Sequence, residues 1–404
     1  MMRLSWWPRA RWARVLLALG LPLATVALIR LCARYLWPNL SALDPQLYHR
    51  YALAFWTGPH AFQSLPVEYP PLAVLPFGLT LVPPLPDYLS VFMLWMGALL
   101  FLGYLALLRF TTPGRALAYL VYLTLGTAAT VLARYDLVVA LITLAALWAA
   151  GRRRFALAYV LLAVGIPLKL YPAFLLPLVV LWHGCAAARA AERADGAMSV
   201  PAPASRMTPL ARIGWTPASL APALLGALFC LGIAAAGFVG AALLSGGAAL
   251  SSLTYASARP IQVESTPATL LWLGSFLGFP ARADFSYGSN NITGPLADML
   301  SSLALAALVA GCVWVYWRLA RGRLTLGQAF VACLCVVLVT NKIFSAQYLI
   351  WVLPFIAAVE GADGFDLSWL MLCLLSAVDY PFLFHYQVHH QAPTYSALYM
   401  LGLA

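Results

Sequence analysis

The chain has 404 residues, of which 63% are hydrophobic and only 9% charged, against about 25% charged in an ordinary soluble domain. So few charges cannot keep a chain of this size dispersed in water, which excludes a soluble enzyme, a disordered tail protein and a nucleic-acid binder. The net charge of +11 reflects membrane topology rather than a nucleic-acid footprint, because of where the basic residues fall.

Apolar runs of spanning length must satisfy their own backbone in lipid, so they are read as transmembrane helices. The first, 15–37, follows a basic start (Arg3, Arg9, Arg11, Arg14) and is too long for a cleavable signal peptide. Residues 38–86 form a first outer loop. Its stretch Pro70–Pro84 is short and flanked by proline, and is expected to lie at the interface. Spans follow at 87–109, 115–133, 136–150, 155–168 and 170–183, then a flexible cytoplasmic loop at 184–217, rich in Ala, Arg, Pro and Ser. A span at 218–245 leads to a second long outer loop, 246–295. The last spans are expected at 296–317, 324–341, 348–360, 368–384 and 392–404. The expectation is an all-α polytopic membrane protein of about twelve transmembrane helices, one domain over 1–404, without repeats.

This arrangement puts 16 of the 24 basic residues on one side, among them Arg109, Arg115, Arg152–Arg154, Arg189, Arg193, Arg318, Arg321 and Arg323. That side is the cytoplasmic one by the positive-inside rule, so both termini fall inside. The expected location is the plasma (inner) membrane. The seven cysteines show neither C-x-x-C nor a metal spacing and read as small apolar filler. No cofactor is expected, and no strong metal-ligand set appears in the sequence, so metal dependence stays open. His385, His389 and His390 group near the C-terminus without a ligand spacing.

The unusual polar residues crowd the opposite, outer side. Ionisable groups within or beside spans are costly and point to function by default. They fall in clusters: Asp44 to Tyr48; Glu68-Tyr69-Pro70-Pro71; Arg134-Tyr135-Asp136; Lys169-Leu170-Tyr171-Pro172; Arg259 to Ser265, which includes Gln262 and Glu264; and Asn341 to Tyr348, which includes Lys342 and Gln347. Against 22 arginines the chain has two lysines, Lys169 and Lys342, both at outer helix ends. With Arg134 and Arg259 they are suited to one anionic head group, the lysines as point charges and the arginines as planar forks. Bland readings stand beside these. Arg134 and Asp136 pair with each other; Glu68 braces the Pro-Pro turn; Arg30 and Arg34 snorkel; Asp298 and Asp379 sit at solvated helix ends. Asp44 is a general-base candidate, and Asp44-Pro45 also suits the start of a helix over Pro45–Trp56.

In order and spacing, Asp44, Tyr48, Gly58, Glu68 to Leu72, Arg134 to Asp136, Lys169 to Pro172, and Ser345, Gln347, Tyr348, Trp351 and Pro354 resemble glycosyltransferase family 87. That family belongs to the GT-C superfamily of polyprenol-phosphate-sugar-dependent transferases and includes α-mannosyltransferases of envelope glycolipids. The similarity runs over about 38–360. The resemblance implies a GT-C helical bundle whose first outer loop carries interfacial helices and an acidic catalytic residue, matched by Asp44. Glu68, in the same loop, leaves the base unassigned between two carboxylates. The implied partners are a polyprenyl-phosphate-sugar donor, a lipid or glycan acceptor and membrane lipids, with no nucleic acid. Donor contacts are expected from Tyr48, Arg134, Asp136, Lys169, Tyr171, Arg259, Gln262, Glu264, Lys342, Gln347 and Tyr348. The rival readings are a multi-span transporter or lipid flippase, and an outer-face polymerase or ligase using a polyprenyl-diphosphate donor.

Overall fold

A computed structural model describes residues 8, 10–194, 217–359 and 365–384. The described chain is almost entirely helical. In order it forms α1 (Arg11–Tyr35), α2 (Pro38–Trp56), α3 (Val74–Phe77), α4 (Tyr88–Phe110), α5 (Pro113–Thr127), α6 (Asp136–Gly151), α7 (Phe155–Leu168), α8 (Leu176–Ala194) and α9 (Pro217–Leu244). After these come α10 (Ser251–Ala258), α11 (Thr266–Ser275), α12 (Ala297–Ala320), α13 (Leu326–Thr340), α14 (Leu349–Val359) and α15 (Leu367–Val378). Three short strands, β1 (Ile261–Gln262), β2 (Arg282–Ser286) and β3 (Ser289–Thr293), lie within the second long loop.

Helix starts follow local chemistry. Asp87 accepts from the Ser90 backbone N–H ahead of α4, and Thr112 and Ser265 cap α5 and α11, each followed by proline within the first turn. Thr325 and Gln328 cap α13 reciprocally. Proline also moves one boundary. α2 starts at Pro38 rather than Pro45, so Asp44 lies inside the helix and does not cap it. The earlier proline offers the same first-turn advantage six residues before Asp44, and the helix runs on through Pro45.

Among the described residues, five helices are long and apolar enough to cross a membrane: Arg11–Tyr35, Tyr88–Phe110, Tyr171–Ala190, Leu220–Leu244 and Ala297–Ala320. The expected spans 136–150, 155–168, 324–341, 348–360 and 368–384 form shorter apolar helices and 115–133 gives the 15-residue α5, so a membrane-embedded helical bundle is established but twelve crossings are not. The expected span 392–404 lies outside the described residues, as do His385, His389 and His390. The expected flexible loop 184–217 begins as helix, because α8 continues through an Ala-rich stretch of high helix propensity to Ala194. Pro71–Leu81 forms short helical turns, not a long helix.

α14 is the centre of the bundle. It is buried from Leu349 to Ala358 and packs on α5, α6 and α13. α7 packs between α6 and α9. A Cβ at Gly226 would run into the Tyr159 ring, so glycine is what lets α9 approach α7 there. α1, α9 and α12 carry little protein cover, and their leucines (Leu16, Leu23, Leu225, Leu228, Leu303) face outward as lipid-facing helices do.

The small sheet departs from a purely helical expectation. β3 pairs antiparallel with both neighbours, Ile261 opposite Ile292 and Ala283 opposite Ile292. Tyr287 and Gly288 make the β2–β3 turn with positive φ (51° and 68°), the handedness that a two-residue hairpin needs. Ile261, Val263, Leu271, Trp272 and Ile292 give this region its own core, joined by Phe384 from the end of the described chain.

Candidate functional site

The expected site residues gather at one end of the bundle, where α6, α13 and α14 meet the two long loops. Arg134 and Asp136 do not pair with each other. Arg134 Nη1 forms an ion pair with Asp44 Oδ2 on α2, and both side chains are partly exposed. Arg134 is also in hydrogen-bonding contact with Tyr380. Asp136, 1% exposed, accepts from Lys169 Nζ at 2.5 Å and from Trp351 Nε1 at 2.5 Å, both on Oδ1.

Lys169 is enclosed as well as paired. Its Nζ lies 4.9 Å, 5.2 Å and 5.0 Å from the ring centroids of Tyr135, Tyr348 and Trp351. Cation–π attraction at that range is strongest where water is excluded. Trp351 is stacked between Tyr171 and Tyr348, at 4.4 Å and 4.1 Å, and the Tyr171 hydroxyl lies 3.1 Å from Thr143 Oγ1. Tyr135 donates to the Leu168 carbonyl at 3.2 Å, tying the start of α6 to the end of α7. The local sequence explains the placement: Lys169 is the first residue past α7, and Asp136 is the first residue of α6.

Tyr48 has a packing role in the structure. It is buried and stacks on Phe77 at 4.3 Å, with Tyr69, Phe92 and Tyr135 around it. Glu68 accepts from the Tyr51 hydroxyl on α2 and lies electrostatically near Tyr69 and Tyr255.

The second long loop delivers a polar chain to the same end. Arg259 Nη2 donates to Gln262 Oε1 at 3.0 Å, and Gln262 Nε2 donates to Glu264 Oε2 at 3.0 Å. Glu264 Oε1 accepts from the Ala346 backbone N–H at 3.3 Å. Burial, with Asp379 nearby, pushes Glu264 up to about 8, against the pull of the Ala346 and Gln262 hydrogen bonds and of Arg134. Lys342 donates to the Ser257 carbonyl at 2.8 Å. Burial and then Arg259 lower its pKa, while Asp298 raises it. Gln347 Oε1 is buried without a hydrogen-bond partner among the described residues.

Three residues outside the expected set belong here. Trp351 binds Asp136. Asp379 is 1% exposed and faces Glu264, so it is not a solvated helix end. Tyr380 joins Arg134 to an apolar groove. Trp351 was legible as the aromatic in the Ser345–Pro354 segment, and Asp379 as an acid beside a span. Asp298 is exposed.

The groove measures about 250 Å³ and runs between α1, α5 and the end of α15, lined by Ile29, Cys32, Trp37, Ala129, Tyr380 and Pro381 among others. Its outer wall includes exposed apolar side chains of α1 and Phe382, so it opens on the lipid-facing side. The arrangement thus offers a carboxylate and a guanidinium in an ion pair, with Tyr380 linking the guanidinium to an apolar slot. No family model matches the chain, and no curated protein or solved structure matches it either.

Proposed function

We propose that the protein is a membrane glycosyltransferase that moves a sugar, mannose by resemblance, from a polyprenyl-phosphate donor to a lipid-linked or glycan acceptor on the extracytoplasmic face. The observation that carries this reading is Tyr380, which touches Arg134 on one side and lines the apolar groove on the other. An amphiphile with a phosphate head and a hydrocarbon tail matches that juxtaposition. The order of motifs and their resemblance to glycosyltransferase family 87 add the sugar.

The chemistry follows from charge. A polyprenyl phosphate leaves the anomeric carbon when its growing charge is met by fixed cations, the kind of preorganised stabilisation that dominates many enzymes. Arg134 turns from Asp44 to the phosphate, and Arg259 and Lys342 on the second long loop and its neighbour add positive charge at the same end of the bundle. Asp44, released, accepts the proton of the acceptor hydroxyl. That oxygen bonds to the anomeric carbon as the bond to the phosphate oxygen breaks, and the phosphate keeps the electron pair. Attack opposite the phosphate turns a β-linked donor into an α-linked product. Lys169 remains on Asp136 and holds the Arg134 segment in place. Asp44 suits the base role better than Glu68, because Asp44 adjoins the cation that receives the phosphate and Glu68 is engaged by Tyr51.

The test is purified protein in detergent with polyprenyl-phosphate-mannose and a panel of glycolipid acceptors, followed by mass spectrometry. Hexose transfer that depends on the monophosphate donor supports the reading. Transfer only from a diphosphate donor, or none from any donor, sinks it.

A further inference from the structure

The second long loop carries a helix that is apolar on both faces. α11 buries Ala268, Leu271 and Trp272 against the small sheet and against α12 and α13. Its other face presents Leu270 and Leu273, and the turn that follows presents Phe276 and Leu277, which are 74% and 79% exposed. Leu270 and Leu273 are three residues apart on one face of the helix, and Phe276 and Leu277 follow at its end, so four exposed apolar side chains lie within eight residues. Contiguous apolar surface of this kind is rare against water and marks a docking surface.

What covers it follows from where α11 sits. α12 has 24 residues, about 36 Å of helix at about 1.5 Å per residue, against a hydrocarbon core of about 30 Å. An upright α12 therefore reaches the head-group layer at its ends. α11 packs at the N-terminal end of α12, where Ala297 and Leu300 join its core, and Met299 and Leu303 in the first turns of α12 are outward-facing. At this end of the bundle both helices therefore leave large apolar side chains uncovered, Leu270 and Leu273 on α11 and Met299 and Leu303 on α12.

We propose that α11 and the Phe276–Leu277 turn lie in the head-group and acyl boundary of the bilayer, as an interfacial anchor for the second long loop. The anchor has a consequence for the site. β1 runs directly into α11, and β1 and its flanks carry Arg259, Gln262 and Glu264. Seating α11 in the interface fixes those residues at head-group depth, where a lipid-borne anion would present its charge. The placement rests on membrane embedding alone and not on sugar transfer.

The test is spin-label accessibility in vesicles of phosphatidylcholine and phosphatidylglycerol. The two partly exposed native cysteines are replaced (Cys32→Ser, Cys335→Ser), and Leu273→Cys, Phe276→Cys and Leu277→Cys are labelled one at a time. Leu303→Cys on α12 is the lipid control and Arg152→Cys in the Arg152–Arg154 turn is the aqueous control. The expected result is several-fold stronger relaxation by oxygen than by a water-soluble nickel complex at all three positions, as at 303. Nickel access like that at 152 overturns the proposal, and so does immobilisation with access to neither reagent, which would mean that protein covers the face. A second measurement needs no variant. A carbene-generating phospholipid photolysed with the unaltered protein in the same vesicles should leave adducts within 270–279, and their absence beside strong labelling of α12 also overturns it.

Discussion

Arg134 and Asp136 are two residues apart, yet their ion pairs belong to different environments. Arg134 meets Asp44 with 15% and 14% of the two side chains exposed. Asp136, 1% exposed, meets Lys169 among the rings of Tyr135, Tyr348 and Trp351. The two cations are covered alike, and the difference lies in the carboxylates: Asp44 keeps 14% of its side chain exposed, whereas Asp136, at 1%, is left with its desolvation cost uncompensated when its cation is removed. The same chemistry therefore serves two ends. Asp136 is the carboxylate that depends more on its cation, and in the proposed reaction it is the Arg134–Asp44 pair that exchanges partners.

That contrast predicts the largest effect at Lys169. Lys169→Ala leaves Asp136 buried without a cation, and breaking such a pair costs about 3–5 kcal/mol. The thermal midpoint in detergent should fall steeply, with loss of monodisperse protein. Lys169→Met combined with Asp136→Asn should recover much of the loss, because neither charge then remains. If Lys169→Ala melts like the unaltered protein, the Lys169–Asp136 pair is not structural.

Glu264 gives the next largest effect, and it depends on pH. Its carboxyl titrates at about 8 in the fold against an ordinary value of 4.5. The folded state therefore holds the proton more tightly than the unfolded chain does. That contribution is fully present below about pH 4.5 and is lost as pH rises through about 8, on the order of a few kcal/mol in total. Glu264→Gln should flatten the fall in thermal midpoint across that window. An unchanged pH profile would contradict the assignment.

A smaller effect is expected at Trp351. Trp351→Phe keeps a ring between Tyr171 and Tyr348 but removes the donor to Asp136, a charge-assisted bond worth about 1.5–3 kcal/mol. Its cost should exceed that of Tyr51→Phe, which removes only the partly exposed bond to Glu68. Thermal midpoints of the two variants, measured side by side, decide the order.

Much of this architecture can be read from hydropathy. The run 87–109 became α4 and 324–341 contains α13, because uninterrupted apolar stretches bounded by caps leave one solution in lipid. The crowding of polar motifs at one end was legible for the same reason. Which charge meets which was not, since Asp44 and Arg134 are 90 residues apart and only tertiary packing decides that Asp136 turns to Lys169. Asp379 looked like a solvated end because burial depends on the sheet and on Glu264, both from another loop. The sheet itself is weakly encoded: strands of two and five residues, joined through Tyr287-Gly288 rather than an Asn-Gly turn.

In the proposed reaction the Arg134–Asp44 pair is the reacting one. The direct measurement is the hexose-transfer rate of Asp44→Asn beside Glu68→Gln, with the same polyprenyl-phosphate-mannose donor and acceptor. Asp44→Asn should fold normally, retain donor binding and lose about 10²–10⁴-fold in rate, the usual worth of a general base, while Glu68→Gln stays within a few-fold. Near-normal transfer by Asp44→Asn with loss in Glu68→Gln would contradict the account and move the base to Glu68.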